Sequence, residues 1–236
     1  NRPVKAEGFS LWLIIFLIAV TSAIFITPVF TNGLRIALFI FSAAGFYFSV
    51  KEGITDKKSL KLFLYTLTAA LFVMSVYAVI QNFVGVETDA MLTDIANNKG
   101  MAGRVYSTVE NPNNFAEIIV LLIPFIAALF FTERKKQLKI SLGAIFFICV
   151  VALLLTYSRG SYVSFAISAA VFIALYKPRW LIPLFFGGLI MIPFLPESIL
   201  NRILSIGSTA DTSNAYRVFL WEGVSKMIRY EGLYGA

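Results

Sequence analysis

The sequence predicts an all-α, polytopic transmembrane helix bundle of about seven spans, with an external amphipathic-helix segment at its C-terminal end. Composition is the first reason, since 58% of the 236 residues are hydrophobic and only 14% are charged. In a typical soluble domain about half of the residues are apolar and about a quarter are charged. The second reason is that the apolar residues are gathered in runs, and a helix needs about 20 of them to cross a bilayer core.

Seven apolar runs are predicted to be membrane helices: residues 9–30, 33–50, 60–85, 113–132, 140–157, 161–176 and 180–196. The first run is too long for the core of a signal peptide and has no small-residue cleavage site, so it is predicted to be a true span. Residues 1–196 are therefore expected to form the transmembrane bundle.

Basic residues predict the orientation, because short cytoplasmic loops are enriched in Lys and Arg. One set of alternate loops carries twelve of the twenty basic residues: Arg2, Lys5, Lys51, Lys57, Lys58, Lys61, Arg134, Lys135, Lys136, Lys139, Lys177 and Arg179. This set and the N-terminus are predicted to be cytoplasmic. Residues 86–112, the "YSRGS" turn and the tail are then predicted to face outward. The net charge of +7 needs no nucleic-acid partner on this interpretation.

The tail, residues 197–236, is predicted to be the start of a large external loop. Two stretches, 198–206 and 214–230, have apolar residues at helical spacing with charges between them. Such helices lie in the membrane interface or pack on the spans. Because nothing in the sequence closes the last segment, the chain is expected to be a fragment of a longer protein.

Several kinds of chemistry are excluded by residue type. The chain has no histidine, so histidine metal ligands and histidine general bases are absent. There is no Gly-rich nucleotide loop and no metal-ligand spacing, and the single cysteine, Cys149, lies in an apolar run. No metal site, no cofactor and no disulfide framework are expected.

Three arginines lie on the predicted outer face: Arg104, Arg159 and Arg217. An arginine beside a span is costly unless it is paired or solvated. Its planar fork suits carboxylates and phosphates. Two interpretations remain open, an external pocket for a phosphate-bearing lipid or ordinary snorkelling and pairing with Glu110, Glu117 or headgroups.

The start of the fourth span, "ENPNN", has both a structural and a functional interpretation. Asn111 is predicted to cap a helix whose first residue is Pro112. Helix N-termini also attract anions, so the same residues are candidates for a phosphate site. Asn113 is a candidate for polar contacts to a sugar.

Two further polar residues near the spans are supporting candidates. Glu117 lies one turn into the fourth span and is predicted to form an ion pair with Arg104 or Arg159, although a favourable charge at the helix N-terminus or a base toward a sugar hydroxyl are alternatives. Ser158 belongs to a group of serines around Arg159, which favour close helix packing over nucleophilic catalysis.

Three stretches together resemble the O-antigen ligase and polymerase superfamily, bacterial membrane glycosyltransferases of surface polysaccharides. They are "RVYSTVENPNNFAEIIVLLIPF", "LLLTYSRGSYVSF" and "YRVFLWEGVSKMIRYEGLYG". The family pattern is an Arg ahead of Asn-Pro-Asn, a Thr-x-Ser-Arg-Gly at a span end, and an external Arg-x-x-x-Trp helix. This chain matches it with Arg104, Asn111, Pro112 and Asn113; Thr156, Ser158, Arg159 and Gly160; and Arg217 and Trp221.

The resemblance implies transfer of a glycan from undecaprenyl pyrophosphate to an acceptor hydroxyl at the outer face of the bacterial cytoplasmic (inner) membrane. It implies that Arg159 and Arg217 hold the donor pyrophosphate, with Arg104 as a weaker candidate. The acceptor is a glycan, a lipid or a protein, so ligase, repeat-unit polymerase and protein O-oligosaccharyltransferase all stay open. Family members carry an external His that acts on the acceptor, and no residue of this chain matches it, so the catalytic residue is unknown. The chain is expected to be a fragment that lacks this part of the external loop, and a complete but degenerate member that cannot catalyse is the alternative.

The alternative function is a membrane transporter or a flippase for lipid-linked glycans. Such a protein has charged groups at mid-depth and interrupted helices there. This sequence has its distinctive charges at the outer boundary instead, which favours the transferase.

Overall fold

The computed structural model describes residues 7–26, 30–86, 103–194, 196–204 and 212–231, and every regular element among them is helical. The α-helices are α1 (Glu7–Ile26), α2 (Phe30–Gly53), α3 (Lys57–Val84), α4 (Pro112–Thr132), α5 (Lys136–Leu155), α6 (Arg159–Tyr176), α7 (Leu181–Met191), α8 (Glu197–Leu204) and α9 (Thr212–Glu231). Short 3-10 turns at Pro178–Trp180 and Ile192–Phe194 flank α7.

Each of the seven predicted spans contains a helix among the residues that the structure describes. Within the described residues, the five helices α2 to α6 are long and apolar enough to cross a membrane, and α1 and the stretch around α7 are shorter apolar helices. The all-α, multi-pass fold predicted from the sequence is confirmed.

The predicted boundaries need two adjustments. Helix α5 begins at Lys136 instead of residue 140, because a polar first turn continues the helix beyond its apolar run. The predicted span 180–196 contains an α-helix of only 11 residues. Pro193 lies in the 3-10 turn that follows α7, and a proline has no backbone N–H with which to continue the helix.

The chain divides into two compact units, residues 1–63 with 225–236, and residues 64–224. In the first unit, the start of α1 packs on the end of α2, so the two helices are antiparallel. The rings of Phe9 and Tyr47 have centroids 5.3 Å apart, and the Lys51 ammonium donates to Ser10 Oγ at 2.9 Å.

Helix α4 forms the centre of the second unit. Phe115, Ile119, Ile123 and Ile126 follow one face of α4 at helical spacing and are buried. They belong to one apolar cluster with residues of the neighbouring helices: Leu71 and Ala78 of α3, Cys149, Ala152 and Leu153 of α5, and Tyr162 of α6. Helix α4 contacts both α5 and α6, so the ends of these three helices are fixed against one another.

The second unit has two ends of different character. We call one the arginine end: it comprises residues 103–111, the Thr156–Ser158 turn and α8. The other, the lysine end, comprises residues 133–139 and 177–180. At the lysine end, the Tyr65 hydroxyl donates to Glu133 Oε2 at 2.6 Å. The basic residues that are predicted to be cytoplasmic in this unit therefore gather at the end away from Arg104 and Arg159.

If the arginine end faces outward, a membrane-impermeant maleimide will label it in intact spheroplasts. Thr108→Cys and Gln137→Cys place a thiol at an exposed position of the arginine end and the lysine end, respectively. Cys149 is buried and adds little background. We expect Thr108→Cys to react without permeabilisation and Gln137→Cys to react only after it, and the opposite pattern would reverse the orientation.

Candidate functional site

Residues 103–111 are fixed to the end of α3 by one glutamine side chain. The Gln81 side-chain carbonyl accepts from the backbone N–H of Ser107 at 2.8 Å and of Tyr106 at 3.3 Å. The Gln81 amide donates back to the Ser107 carbonyl at 3.0 Å, and Ser107 Oγ donates to the Met74 carbonyl at 2.8 Å. These bonds satisfy buried backbone groups of a segment that has no regular structure of its own.

Arg104 joins the end of α5 to the start of α4. Only 3% of its surface is exposed. Its Nε donates to the Thr156 carbonyl at 2.8 Å and its Nη2 donates to Asn113 Oδ1 at 2.6 Å. The last carbonyls of a helix lack partners within the helix and carry the negative end of its dipole, so a guanidinium there is favourable.

The start of α4 is capped as the sequence predicted. Asn111 has an extended backbone, and its Oδ1 accepts from the backbone N–H of Asn113 at 2.9 Å and of Asn114 at 3.3 Å. Pro112 occupies the first turn, where its missing N–H costs nothing. The side chains of Asn111 and Asn113 are thus both engaged, one in the cap and one with Arg104.

The Thr156–Ser158 turn is built by its own side chains. Thr156 Oγ1 donates to the Leu153 carbonyl at 2.7 Å and accepts from the Ser158 N–H at 3.3 Å. Ser158 is the N-cap residue of α6, and its hydroxyl lies 3.0 Å from that of Ser161. These bonds are local to the turn and the start of α6, so the helix-packing role of the serines stays a prediction.

Arg159 is the first residue of α6 and is partly buried. A cation at a helix N-terminus lies at the positive end of the dipole, which is unfavourable unless an anion is close. The N–H groups of the first turn and the guanidinium are therefore both suited to an anionic ligand. Among the predicted arginines whose side chains the structure describes, Arg159 is the more accessible.

The structure gives less information on the remaining predicted residues, Glu117, Arg217 and Trp221. Glu117 is exposed on α4, and its ion pair with Arg104 or Arg159 stays a prediction. Arg217 falls in α9, but its side chain lies outside the described residues, as does any contact it makes. Trp221 is 70% exposed on the same helix.

Arg202 is a residue that the motif analysis missed. It is 7% exposed on α8, and its Nε donates to the Tyr157 carbonyl at 3.0 Å. The Tyr157 hydroxyl lies 3.2 Å from Ser198 Oγ, so α8 holds the turn at two points. The sequence does carry a signal, because Arg202 and Ile203 follow Ile199 at spacings of three and four, which places the arginine beside an apolar face.

Comparison with known families gives one match, and it covers the later part of the chain. Residues 144–236 match the family model described as O-antigen ligase. The predicted resemblance is confirmed. This family implies a membrane protein that processes glycans. No curated protein and no solved structure matches the chain.

The family match includes Arg159, Arg202 and Arg217 and begins after Arg104. The hydrogen bond from Arg104 to Thr156 nevertheless joins residues 103–113 to the segment that is similar to the O-antigen ligase family. Within the described residues, no group of three or more Cys, Asp or Glu side chains is placed to hold a metal ion.

Replacing Arg104 with methionine should destabilise the chain by about 2–3 kcal/mol, because hydrogen bonds to charged groups are worth about 1.5–3 kcal/mol and the buried Thr156 carbonyl and the partly buried Asn113 Oδ1 lose their donor. Arg134→Met is the matched control, since Arg134 is exposed at the lysine end. Unfolding in detergent, followed by circular dichroism, measures the difference. Equal stability of the two variants would contradict a joining role for Arg104.

Proposed function

We propose that this protein transfers a glycan from an undecaprenyl-pyrophosphate donor to an acceptor hydroxyl at the outer face of the bacterial cytoplasmic membrane. The observation that carries the proposal is the match of residues 144–236 to the O-antigen ligase family, since Arg159 and Arg217 both lie inside it. The arginine end would face outward, and residues 197–236 would belong to an external loop.

The proposed glycan transfer depends on a site that binds the anionic leaving group. The acceptor oxygen attacks the anomeric carbon, the bond from that carbon to the pyrophosphate oxygen breaks, and undecaprenyl pyrophosphate leaves with the electron pair. The acceptor hydroxyl loses its proton to a base that we do not assign. Positive groups that meet the charge growing on the leaving pyrophosphate accelerate such a step.

Arg159 is suited to that task by its position. Its guanidinium can bind phosphate oxygens through two parallel hydrogen bonds, and the N-terminus of α6 adds N–H donors beside it. We propose Arg217 as the second pyrophosphate ligand, from its place in the motif. Arg104 is buried and bonded to Thr156 and Asn113, so we propose that it supports the site together with Asn111, Asn113, Glu117 and Ser158.

Three transfer reactions share this donor half: a ligase that moves a finished glycan, a polymerase that joins repeat units, and a protein O-oligosaccharyltransferase. They differ in the acceptor, for which a glycan, a lipid and a protein are all candidates. The proposal therefore concerns the donor and the leaving group.

Arg159→Ala and Arg217→Ala should each abolish glycan transfer and weaken the binding of undecaprenyl pyrophosphate by about 10- to 100-fold, the usual effect of losing a hydrogen bond to a charged group. Binding is measured by equilibrium titration of the lipid into the purified chain in detergent. Transfer is measured in membranes that contain the lipid-linked donor.

Arg134→Ala serves as the control for these variants, because it removes the same charge from an exposed position at the lysine end. It should retain both binding and transfer. Retained transfer in both the Arg159→Ala and Arg217→Ala variants would refute the assignment of these residues to the pyrophosphate.

A further inference from the structure

We propose that Arg202 is a positioning residue that fixes the Thr156–Ser158 turn and thereby directs Arg159 toward the pyrophosphate of the donor. This inference rests on the proposed function, and it adds a residue that acts through another group instead of touching the lipid. On this proposal, α8 stabilises the turn between α5 and α6.

The burial of Arg202 supports a positioning role. A guanidinium on the same face as Ile199 is costly to bury unless it has polar partners. The Tyr157 carbonyl, 3.0 Å from Nε, is such a partner. Since a leucine at this position would continue the apolar face without that cost, the bond to the turn explains why an arginine is accommodated here.

The backbone of Tyr157 supports the same inference, because its φ of 51° lies in the left-handed region. Bulky residues rarely adopt this conformation, and it persists only where surrounding contacts enforce it. Here Arg202 holds the Tyr157 carbonyl, Ser198 lies within hydrogen-bond distance of its hydroxyl, and Arg104 holds the preceding carbonyl of Thr156. The turn is thus fixed from both sides, by residue 104 and by α8.

Arg159 is also close to the turn along the chain. Arg159 follows Tyr157 by two residues and opens α6, so the direction of its Cα–Cβ bond is set by the turn. A change in the Tyr157 conformation would rotate the first residue of α6. A misplaced ligand group loses much of its effect even when it stays in the site.

The test uses the purified chain and undecaprenyl pyrophosphate in detergent. Arg202→Met should weaken binding by about tenfold in the wild-type background and have no further effect in the Arg159→Ala background, since coupled residues are not additive. Ser198→Ala, which removes the other contact of α8 with Tyr157 without burying an unpaired charge, should act in the same direction with a smaller effect. Arg179→Met, exposed at the lysine end, is the control and should bind normally.

A second measurement needs no donor. Trypsin cleaves after Arg159 only when the start of α6 opens, so the cleavage rate there reports how firmly the turn is held. Arg202→Met should accelerate cleavage after Arg159 and leave cleavage after Arg134 unchanged. A general loss of folding would accelerate both.

The outcomes separate the two proposals. Wild-type affinity and wild-type cleavage in the Arg202→Met chain would overturn the positioning role and leave the proposed function standing. An equal loss of affinity in the wild-type and Arg159→Ala backgrounds would show that Arg202 acts independently of Arg159, which also overturns it. Failure of the wild-type chain to bind undecaprenyl pyrophosphate would overturn the proposed function and the positioning role with it.

Discussion

The arrangement of the arginine end depends on the last carbonyls of α5. Where a helix ends in or near a membrane, bulk water is not available to hydrogen-bond its terminal carbonyls. Each carbonyl left without a donor is costly. Four successive carbonyls, those of residues 154–157, receive donors from different elements. The Tyr162 hydroxyl binds the first, the Val105 N–H the second, Arg104 the third and Arg202 the fourth. Satisfying one helix end therefore brings residues 104–105, α6 and α8 to the same place.

This requirement separates the arginines by role. Arg104 and Arg202 are almost fully buried and donate to backbone carbonyls, so their charge is used against the negative end of the α5 dipole. Arg159 is at the opposite kind of helix terminus, where the backbone offers N–H groups and a positive dipole end. An anion is stabilised by the second environment and not by the first. Arg104 and Arg202 therefore differ from Arg159 in their electrostatic environment, although all three carry the same charge and lie at the arginine end.

The sequence predicted what depends on local pattern. The apolar runs located the seven helices α1 to α7, because a lipid environment imposes both the length and the composition of such helices. The Asn111 cap followed from residue types at adjacent positions. The contacts of Arg104 and Arg202 could not be predicted in this way, since they join residues that are 52 and 45 positions apart. Which helix ends meet is decided by the packing of α4 against α5 and α6, and sequence spacing carries little information about it.

The motif around Arg159 is better understood as a structural unit than as a set of reactive groups. Thr156 closes the end of α5 with its hydroxyl, Ser158 binds Ser161 within α6, and Tyr157 holds a left-handed conformation between them. Each of these side chains has a bond inside the turn or to the helices beside it. Arg159, in turn, places its charge at the N-terminus of α6, where a nearby anion is favourable. The N–H groups of the first turn of α6 and the Arg159 guanidinium both favour an anion, which supports the pyrophosphate site proposed for this end of the second unit.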